Sequence, residues 1–412
     1  MNMDASERRE VRTRSTRFTL MALLFAATVA MFPNSVLFPA SHDLSVHLHQ
    51  AETFVGWMVT SYALAYVLAT PLLGVISDYL GRQWVLVLGL LVFLVGGCVP
   101  LWTTQAWVVL SGRVVMGVGS AGIMPMVDSL IGDAYPQGPD RRRALAGFGA
   151  AVAVAEALAP FLGGAVDAWH WQGVFALYGL ALPAALLCVF ISPPPRRSAK
   201  DGRVNLRAYV DSLHVALRLP KLYAAIFGAI VYGVVYFGVC SLLPYAVGRP
   251  VQGLLGGTLF LPIGLAWVLF TAWLARLPHL VRVRQVLTLG ALGLAGLTVW
   301  LAYAHAVWLI LVIGVGWGAG SALLCTLFTW LVGDESPEMV RGAMNGIYNA
   351  AYMLGFSFGS PLFIFLMQRL GATAAFWCGA LAMAGLAVFL RVVLPHRDAA
   401  IPLEPPAMGP AL

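Results

Sequence analysis

Three ionisable side chains stand inside otherwise apolar stretches of this 412-residue chain: Arg113, Asp128 and Glu156. Charge in such a stretch is costly to hold, and it is kept where it faces a cavity or a partner. Desolvation favours the protonated form of a carboxyl, and a neighbouring guanidinium favours the charged form. Glu156 with Arg113 could therefore load and release a proton. The same two residues would also suit a static ion pair that only holds two helices together. Asp128 suits a second proton-carrying position, or a polar residue at the mouth of a cavity.

The helices that carry these residues follow from composition. Hydrophobic residues make up 60% of the chain and charged residues 10%, and the mean hydropathy is +0.83. A soluble domain carries about 25% charged residues. The balance excludes a soluble enzyme, a disordered chain and a DNA-binding domain, and it points to an integral membrane protein that crosses the bilayer repeatedly. Twelve stretches are long and apolar enough to span: 18–41, 54–77, 83–103, 107–133, 143–166, 172–193, 222–247, 254–277, 283–303, 306–333, 341–368 and 373–395. The arginine-rich start (Arg8, Arg9, Arg12, Arg14, Arg17) could precede a secretion signal. The uncharged run that follows is longer than a signal core, and no small-residue cleavage site ends it, so the first span is read as retained.

The net charge of +7 and the pI near 9.3 could suggest nucleic acid. Sorting the charge by position gives another account. With the N-terminus inside, 22 of the 25 basic residues fall in inner segments, Arg249 and Arg369 lie in outer loops, and Arg113 lies within a span. Such asymmetry is an orientation signal, and an even span count puts both termini in the cytoplasm. No nucleic-acid partner is expected. Cys98, Cys188, Cys240, Cys325 and Cys378 lie in apolar stretches without paired spacing, so neither a disulfide nor a metal framework is read from them.

The fold class expected is all-α and integral to the membrane, twelve helices arranged as two pseudo-symmetric six-helix bundles. The boundaries are a cytoplasmic tail 1–17, an N-terminal bundle 18–193, a polar linker 194–221 opened by Pro193, Pro194 and Pro195, a C-terminal bundle 222–395 and a proline-rich tail 396–412. An internal repeat supports the division. An offset of 201 residues pairs Gly117 with Gly318, Gly119 with Gly320, Ser120 with Ser321, Asp133 with Asp334, Pro136 with Pro337 and Pro160 with Pro361. Repeats of this kind, related by an axis along the membrane normal, build one class of secondary transporter.

Depth follows from a rise of about 1.5 Å per residue. Arg113 lies roughly 9 Å below the outer surface and Glu156 roughly 15 Å below it, whereas Asp128 lies roughly 7 Å above the inner surface. Arg113 and Glu156 are thus expected within about one helical turn of each other in depth.

Between spans two and three runs Gly74-Val-Ile-Ser-Asp78-Tyr-Leu-Gly81-Arg82. The pattern G-x-x-x-D-x-x-G-R in that loop resembles the signature of the major facilitator superfamily. Arg113 with Gly117, and Asp133 with Pro136 and Arg141 to Arg143, resemble further elements of that family. The resemblance covers nearly the whole chain. It implies that Asp78 meets the start of span eleven and that Arg82 pairs with Asp133, so that Gly74, Asp78, Gly81, Arg82 and Asp133 form a cytoplasmic latch. The related stretch in the second half, Ala275 to Arg282, has His279 where Asp78 stands and lacks the glycines, so other contacts are expected there.

Span five carries Ala155-Glu156-Ala-Leu-Ala159-Pro160-Phe-Leu-Gly163-Gly164. This is similar to a helix-packing element of the antiporter branch, with Pro160, Gly163 and Gly164 matching and Ala155 and Ala159 replacing two glycines. Gly149, Ala153, Glu156, Pro160 and Gly164 share one broad helical face, where small residues allow close packing.

Polar and aromatic residues within spans outline a substrate cavity: Asn34, Tyr62 and Tyr66 in the first two spans, Tyr232 and Tyr236 in span seven, and Asn345, Tyr348, Asn349 and Tyr352 in span eleven. The pairs Tyr232/Tyr236 and Tyr348/Tyr352 each share a helical face. Aromatic rings with hydroxyl tips suit an amphipathic solute. His42, His47 and His49 cluster near Asp43 and Glu52 in the first outer loop, a grouping that fits a metal or pH sensor as well as a polar interfacial loop.

The expected function is secondary active transport by alternating access, with protons flowing in as a small lipophilic or amphipathic compound leaves. A sugar or metabolite exporter, a proton symporter and a flippase for lipid-linked substrates are alternatives on the same scaffold. No cofactor or metal is expected, and the protein is expected to act as a monomer in a bacterial cytoplasmic membrane. An enzyme is not expected, because no GxSxG, HExxH or GxxxxGK[ST] motif occurs.

Overall fold

The computed structural model describes residues 5–135, 139–191, 215, 218–246, 253–274, 283–337 and 340–394. Every element among them is helical. The chain divides into two compact units, Met1–Asp201 with Val251–Thr258, and Gly202–Pro250 with Leu259–Leu412. The expected linker falls largely outside the described residues, and the expected tail 396–412 does so entirely.

The first unit contains α1 (Ala5–Ala30), α2 (Phe32–Ser35), α3 (Ser41–His47), α4 (Thr53–Leu80), α5 (Arg82–Gly97), α6 (Ala106–Ala121), α7 (Met124–Ala134), α8 (Pro139–Asp167), α9 (Gly173–Ala176) and α10 (Ala181–Val189). The second contains α11 (Pro220–Leu242), α13 (Leu261–Leu274), α14 (Val283–Ala302), α15 (Val307–Glu335), α16 (Arg341–Leu370) and α17 (Ala372–Val393). Between α11 and α13 lies the short helix α12 (Gly253–Thr258), grouped with the first unit. The expected division places it with the C-terminal bundle. Its small residues explain the grouping, because Gly253 and Gly257 lie directly against Gly164, and Gly257 also meets Pro160 and Phe161 of α8.

Eleven segments among the described residues are long and apolar enough to cross a membrane, and their ends fall close to the expected spans. The sixth expected span is the shorter apolar stretch Gly173–Val189, in which a 3₁₀ turn at Leu177–Leu180 separates α9 from α10. The first span is shorter than expected, Arg17–Ser35, and it breaks between α1 and α2 just ahead of Pro33, which has no N–H to continue the helix. The fourth breaks between α6 and α7, where Gly122 precedes a helix with proline at its start. Gly81 joins α4 to α5 with φ 92°, a left-handed conformation that favours glycine. Large apolar side chains such as Leu68, Leu72, Leu269, Leu289, Val312 and Val392 are exposed, as befits an integral membrane protein whose outer surface faces lipid.

Glycines set the closest helix approaches. Gly117 of α6 packs on the carbonyl of Tyr62 in α4, and Gly318 of α15 packs on the carbonyl of Ile263 in α13. Both partners obey the same 201-residue offset. In the second unit Gly233, Gly355 and Gly359 bring α11 and α16 into backbone contact.

Candidate functional site

In the first unit, Arg113 is the centre of a polar cluster. Its side chain is 1% exposed. Nε donates to the Met58 carbonyl at 3.1 Å, and Nη2 donates to Asn34 Oδ1 at 2.5 Å. Nη1 faces the Met116 sulfur at 3.2 Å and the Tyr178 hydroxyl at 3.5 Å. The guanidinium also lies 5.1 Å from the centre of the Tyr62 ring, a cation–π geometry. No carboxylate pairs with it among the described residues. The buried charge is held by dipoles and a ring face.

Local folding explains the cluster. Leu37 N–H bonds the Asn34 carbonyl at 3.0 Å rather than the Pro33 carbonyl one residue earlier. The Pro33 carbonyl accepts instead from the Tyr178 hydroxyl at 2.9 Å. The irregular turn after α1 thus presents both Asn34 and a free carbonyl to the interior. Tyr62 donates to Ser120 Oγ at 2.7 Å, which fixes its ring beneath the guanidinium.

Glu156 is half-buried on α8 and makes no hydrogen bond or ion pair with any described residue. The expected partner, Arg113, is committed to Asn34, Met58 and Tyr178. One turn after Glu156 stands Pro160, inside the helix. A proline lacks the N–H that would close on the carbonyl four residues before it, and that carbonyl is Glu156's own. Asp128 is exposed, and the charged group that acts on it is Arg141.

Of the packing motif, Pro160, Gly163 and Gly164 are all buried. Gly163 lies against the Val36 backbone and Gly164 against Gly253 and Gly257. Of the latch residues, Arg82 Nη1 and Asp133 Oδ2 form an ion pair at 2.5 Å. Both are partly exposed, a setting in which such pairs contribute about 0–1 kcal/mol. Gly74 has open space around it instead of a close helix contact. The Asp78 side chain lies outside the described residues, as do Pro136 and 275–282. In the second unit Lys221 and Glu335 form an ion pair at 2.7 Å.

The expected cavity residues separate into groups. Asn34 is taken by Arg113. Tyr66 accepts a hydrogen bond on its carbonyl from Thr70 at 2.7 Å. Tyr232, Tyr236 and Tyr352 form one aromatic cluster, with Tyr232 stacked on Tyr352 at 6.1 Å and tilted against Tyr236 at 5.6 Å. Tyr236 also stacks on Trp317 at 5.1 Å and meets the edge of Trp267 at 5.4 Å. Tyr348 leaves this group, its hydroxyl facing Thr329 and Cys325 of α15. Asn345 and Asn349 are exposed on α16. Sequence reasoning missed Tyr178, Trp267 and Trp317. Their spans are so apolar that only the 201-residue offset, which pairs Met116 beside Arg113 with Trp317, marked either half of the pair.

Comparison with known proteins gives this geometry a family. The model of the Major Facilitator Superfamily matches residues 23–284 and 279–410. Multidrug resistance protein 3 of Bacillus subtilis is 27% identical over 182 residues, 43% of this chain and 34% of that protein. A triacylglyceride transporter of Mycolicibacterium hassiacum is 30% identical over 190 residues, 45% of this chain and 35% of that protein. The alignments span about a third of the length of these curated relatives. The structure of the nucleoside transporter NupG superposes with a TM-score of 0.76 at 12% identity, over 92% of this chain and 100% of that one. Two units of apolar helices, a shared glycine frame at one offset and a family match across nearly the full length agree: this chain is an integral membrane protein and belongs to the Major Facilitator Superfamily.

Proposed function

We propose that the protein exports a small amphipathic or lipophilic compound in exchange for protons, by alternating access. The observation that carries this reading is Glu156, a half-buried carboxylate on a membrane-length helix with no hydrogen bond or ion pair to any described residue. A carboxylate locked to a guanidinium would stay charged through a transport cycle. One without a fixed counter-ion can take a proton on one side and give it up on the other as its surroundings change. Arg113 serves as a structural cation that organises Asn34, Tyr62 and Tyr178, and Asp128 as a polar group at the other end of the path. The lone Pro160 bond deficit gives α8 a place to flex beside Glu156.

The ring cluster of Tyr232, Tyr236, Tyr352, Trp267 and Trp317 supplies flat apolar surface with a few polar tips, which suits a lipophilic solute. Export rather than uptake is supported by relatives such as the MFS efflux transporter aclA of Aspergillus oryzae, 28% identical over 235 residues. The basic residues favour both termini on the cytoplasmic side of a bacterial inner membrane. Among the described residues the fold gives each unit its own core, and a monomer suffices for this cycle. The test is transport in proteoliposomes driven by an imposed proton gradient. Glu156→Gln should abolish proton-driven export and spare substrate exchange at equal concentrations, whereas export that still follows the gradient would refute the proposal.

A second reading, export of a lipid, is favoured by the 30% identity to a triacylglyceride transporter. Altered membrane lipid composition on expression, without dye efflux, would select it.

A further inference from the structure

Away from Glu156 and Arg113, one end of the first unit holds a cavity of about 330 Å³. It is lined by Asp43 and His47 of α3, Asp167 at the end of α8, and Trp169, His170 and Trp171 of the turn that follows. Asp167 is 6% exposed, and neither of its carboxylate oxygens makes a hydrogen bond of ordinary geometry with a described residue. The groups that face it are the Asp43 carboxyl, the Gly253 backbone N–H and, at longer range, His47.

Two carboxylates that face each other cannot satisfy one another while both are ionised, because each is then an acceptor only. A buried, unsatisfied acceptor beside a second negative charge is costly. Among the described residues no Lys or Arg stands against the pair, and the component that would complete it is positive. His47 stands at longer range, its Nδ1–H donating to the Asp43 backbone carbonyl at 2.8 Å and its ring stacked on Trp171 at 5.1 Å. No group of three or more His, Cys, Asp or Glu side chains among the described residues could hold a metal ion. What the cavity offers is a pair of carboxylates beside indole rings, the surroundings that bind an organic ammonium by charge and by cation–π contact.

We propose that this cleft is a binding site for an organic ammonium group. Asp43 and Asp167 neutralise the charge, and Trp171 with the rim residue Trp169 covers the alkyl substituents. Trp171 is held in place from behind, meeting Phe175 edge-on at 6.3 Å, and Phe175 in turn meets Tyr178 at 6.2 Å. Tyr178 is the hydroxyl that reaches Arg113, so an aromatic ladder runs from the cleft to the buried cation. The site goes beyond the proton-coupled reading and does not depend on it, because Glu156 takes no part.

Calorimetric titration of choline into the full chain in lipid nanodiscs, at mildly alkaline pH, tests this. Choline should bind, and its uncharged carbon isostere dimethylbutanol should bind about tenfold or more weakly. Asp167→Asn and Asp43→Asn should each weaken choline about tenfold, and Trp171→Leu less. Glu156→Gln should leave choline binding unchanged, which separates this site from the proton site. If Asp167→Asn fails to fold, Asp43→Asn and the isostere carry the test. Absence of choline binding, as expected if the two acids share a proton instead, would overturn the proposal. So would equal binding of the isostere, or binding unchanged in the aspartate variants. Uptake of labelled choline into proteoliposomes that Asp167→Asn abolishes would identify the cleft as part of the transport path. Binding without uptake would identify a site for an external ligand. Either result supports an ammonium site.

Discussion

The two units share a frame and differ in what it holds. Gly117 on the Tyr62 carbonyl and Gly318 on the Ile263 carbonyl are the same helix contact made twice, 201 residues apart. At the positions around that contact the halves part. Arg113 corresponds to Gly314, Glu156 to Ser357, Asp128 to Thr329 and Asn34 to Val235, whereas Met116 corresponds to the fully buried Trp317. At these aligned positions the charged side chains Arg113, Asp128 and Glu156 are in the first unit, and Trp317, stacked on Tyr236, is in the second. The prolines persist, Pro160 after Glu156 and Pro361 after Ser357, each removing the bond to the carbonyl four residues back. Small residues and prolines that set backbone geometry have been kept in both halves. Arg113, Asp128 and Glu156 have not, although Asp133 keeps its counterpart Asp334.

That contrast can be broken most severely at the shared frame. Gly117→Val and Gly318→Val should each abolish monodisperse protein in detergent, because neither site has room for a Cβ and overpacking of this kind costs about 1–3 kcal/mol or more. Size-exclusion profiles read the outcome, and tolerance at either position would mean the frame is not common to both halves.

A smaller effect is expected from Arg113. Arg113→Lys should lower the unfolding midpoint measurably, since one ammonium cannot reach Asn34, the Met58 carbonyl and Tyr178 as the planar guanidinium does. The loss is expected at about 1–3 kcal/mol for acceptors left unsatisfied. Asn34→Leu should move the midpoint in the same direction, and thermal unfolding followed by tryptophan fluorescence compares the two.

The rings of the second unit should affect affinity more than coupling. Tyr236→Leu removes stacking on Trp317 worth about 0.5–1.5 kcal/mol. It should raise KM for export several-fold and leave the proton dependence of transport unchanged. The least effect is expected from Asp128→Asn, because Asp128 is exposed; transport within about twofold of the unaltered protein is expected.

Much of this arrangement was legible in the sequence. Spans are written in hydropathy and the repeat in one fixed offset, so the helices came out near their expected ends. The breaks within spans were harder. Pro125 and Pro33 interrupt apolar runs that stay apolar enough to span. The pairing of Arg113 with Glu156 was expected from depth, and depth was the wrong coordinate. Two residues at one height on neighbouring helices meet only if both face the same seam, and rotation about the helix axis is set by packing. Asn34 and Tyr178, carried on a proline-broken turn and a 3₁₀ segment, occupy the seam that Arg113 faces. Asp167 was passed over because it closes a span, where polar residues are ordinary. Its burial beside Asp43 depends on where α3 folds back, which periodicity cannot show.

The central claim is that Glu156, and not its counterpart Ser357, carries the transported proton. The direct measurement is proton flux, read by a pH-sensitive dye trapped inside proteoliposomes, as an outward gradient of an exported compound is applied. The unaltered protein and Ser357→Ala should both show substrate-dependent proton movement, and Glu156→Gln should show none while still exchanging substrate. Proton movement that survives in Glu156→Gln would contradict the account.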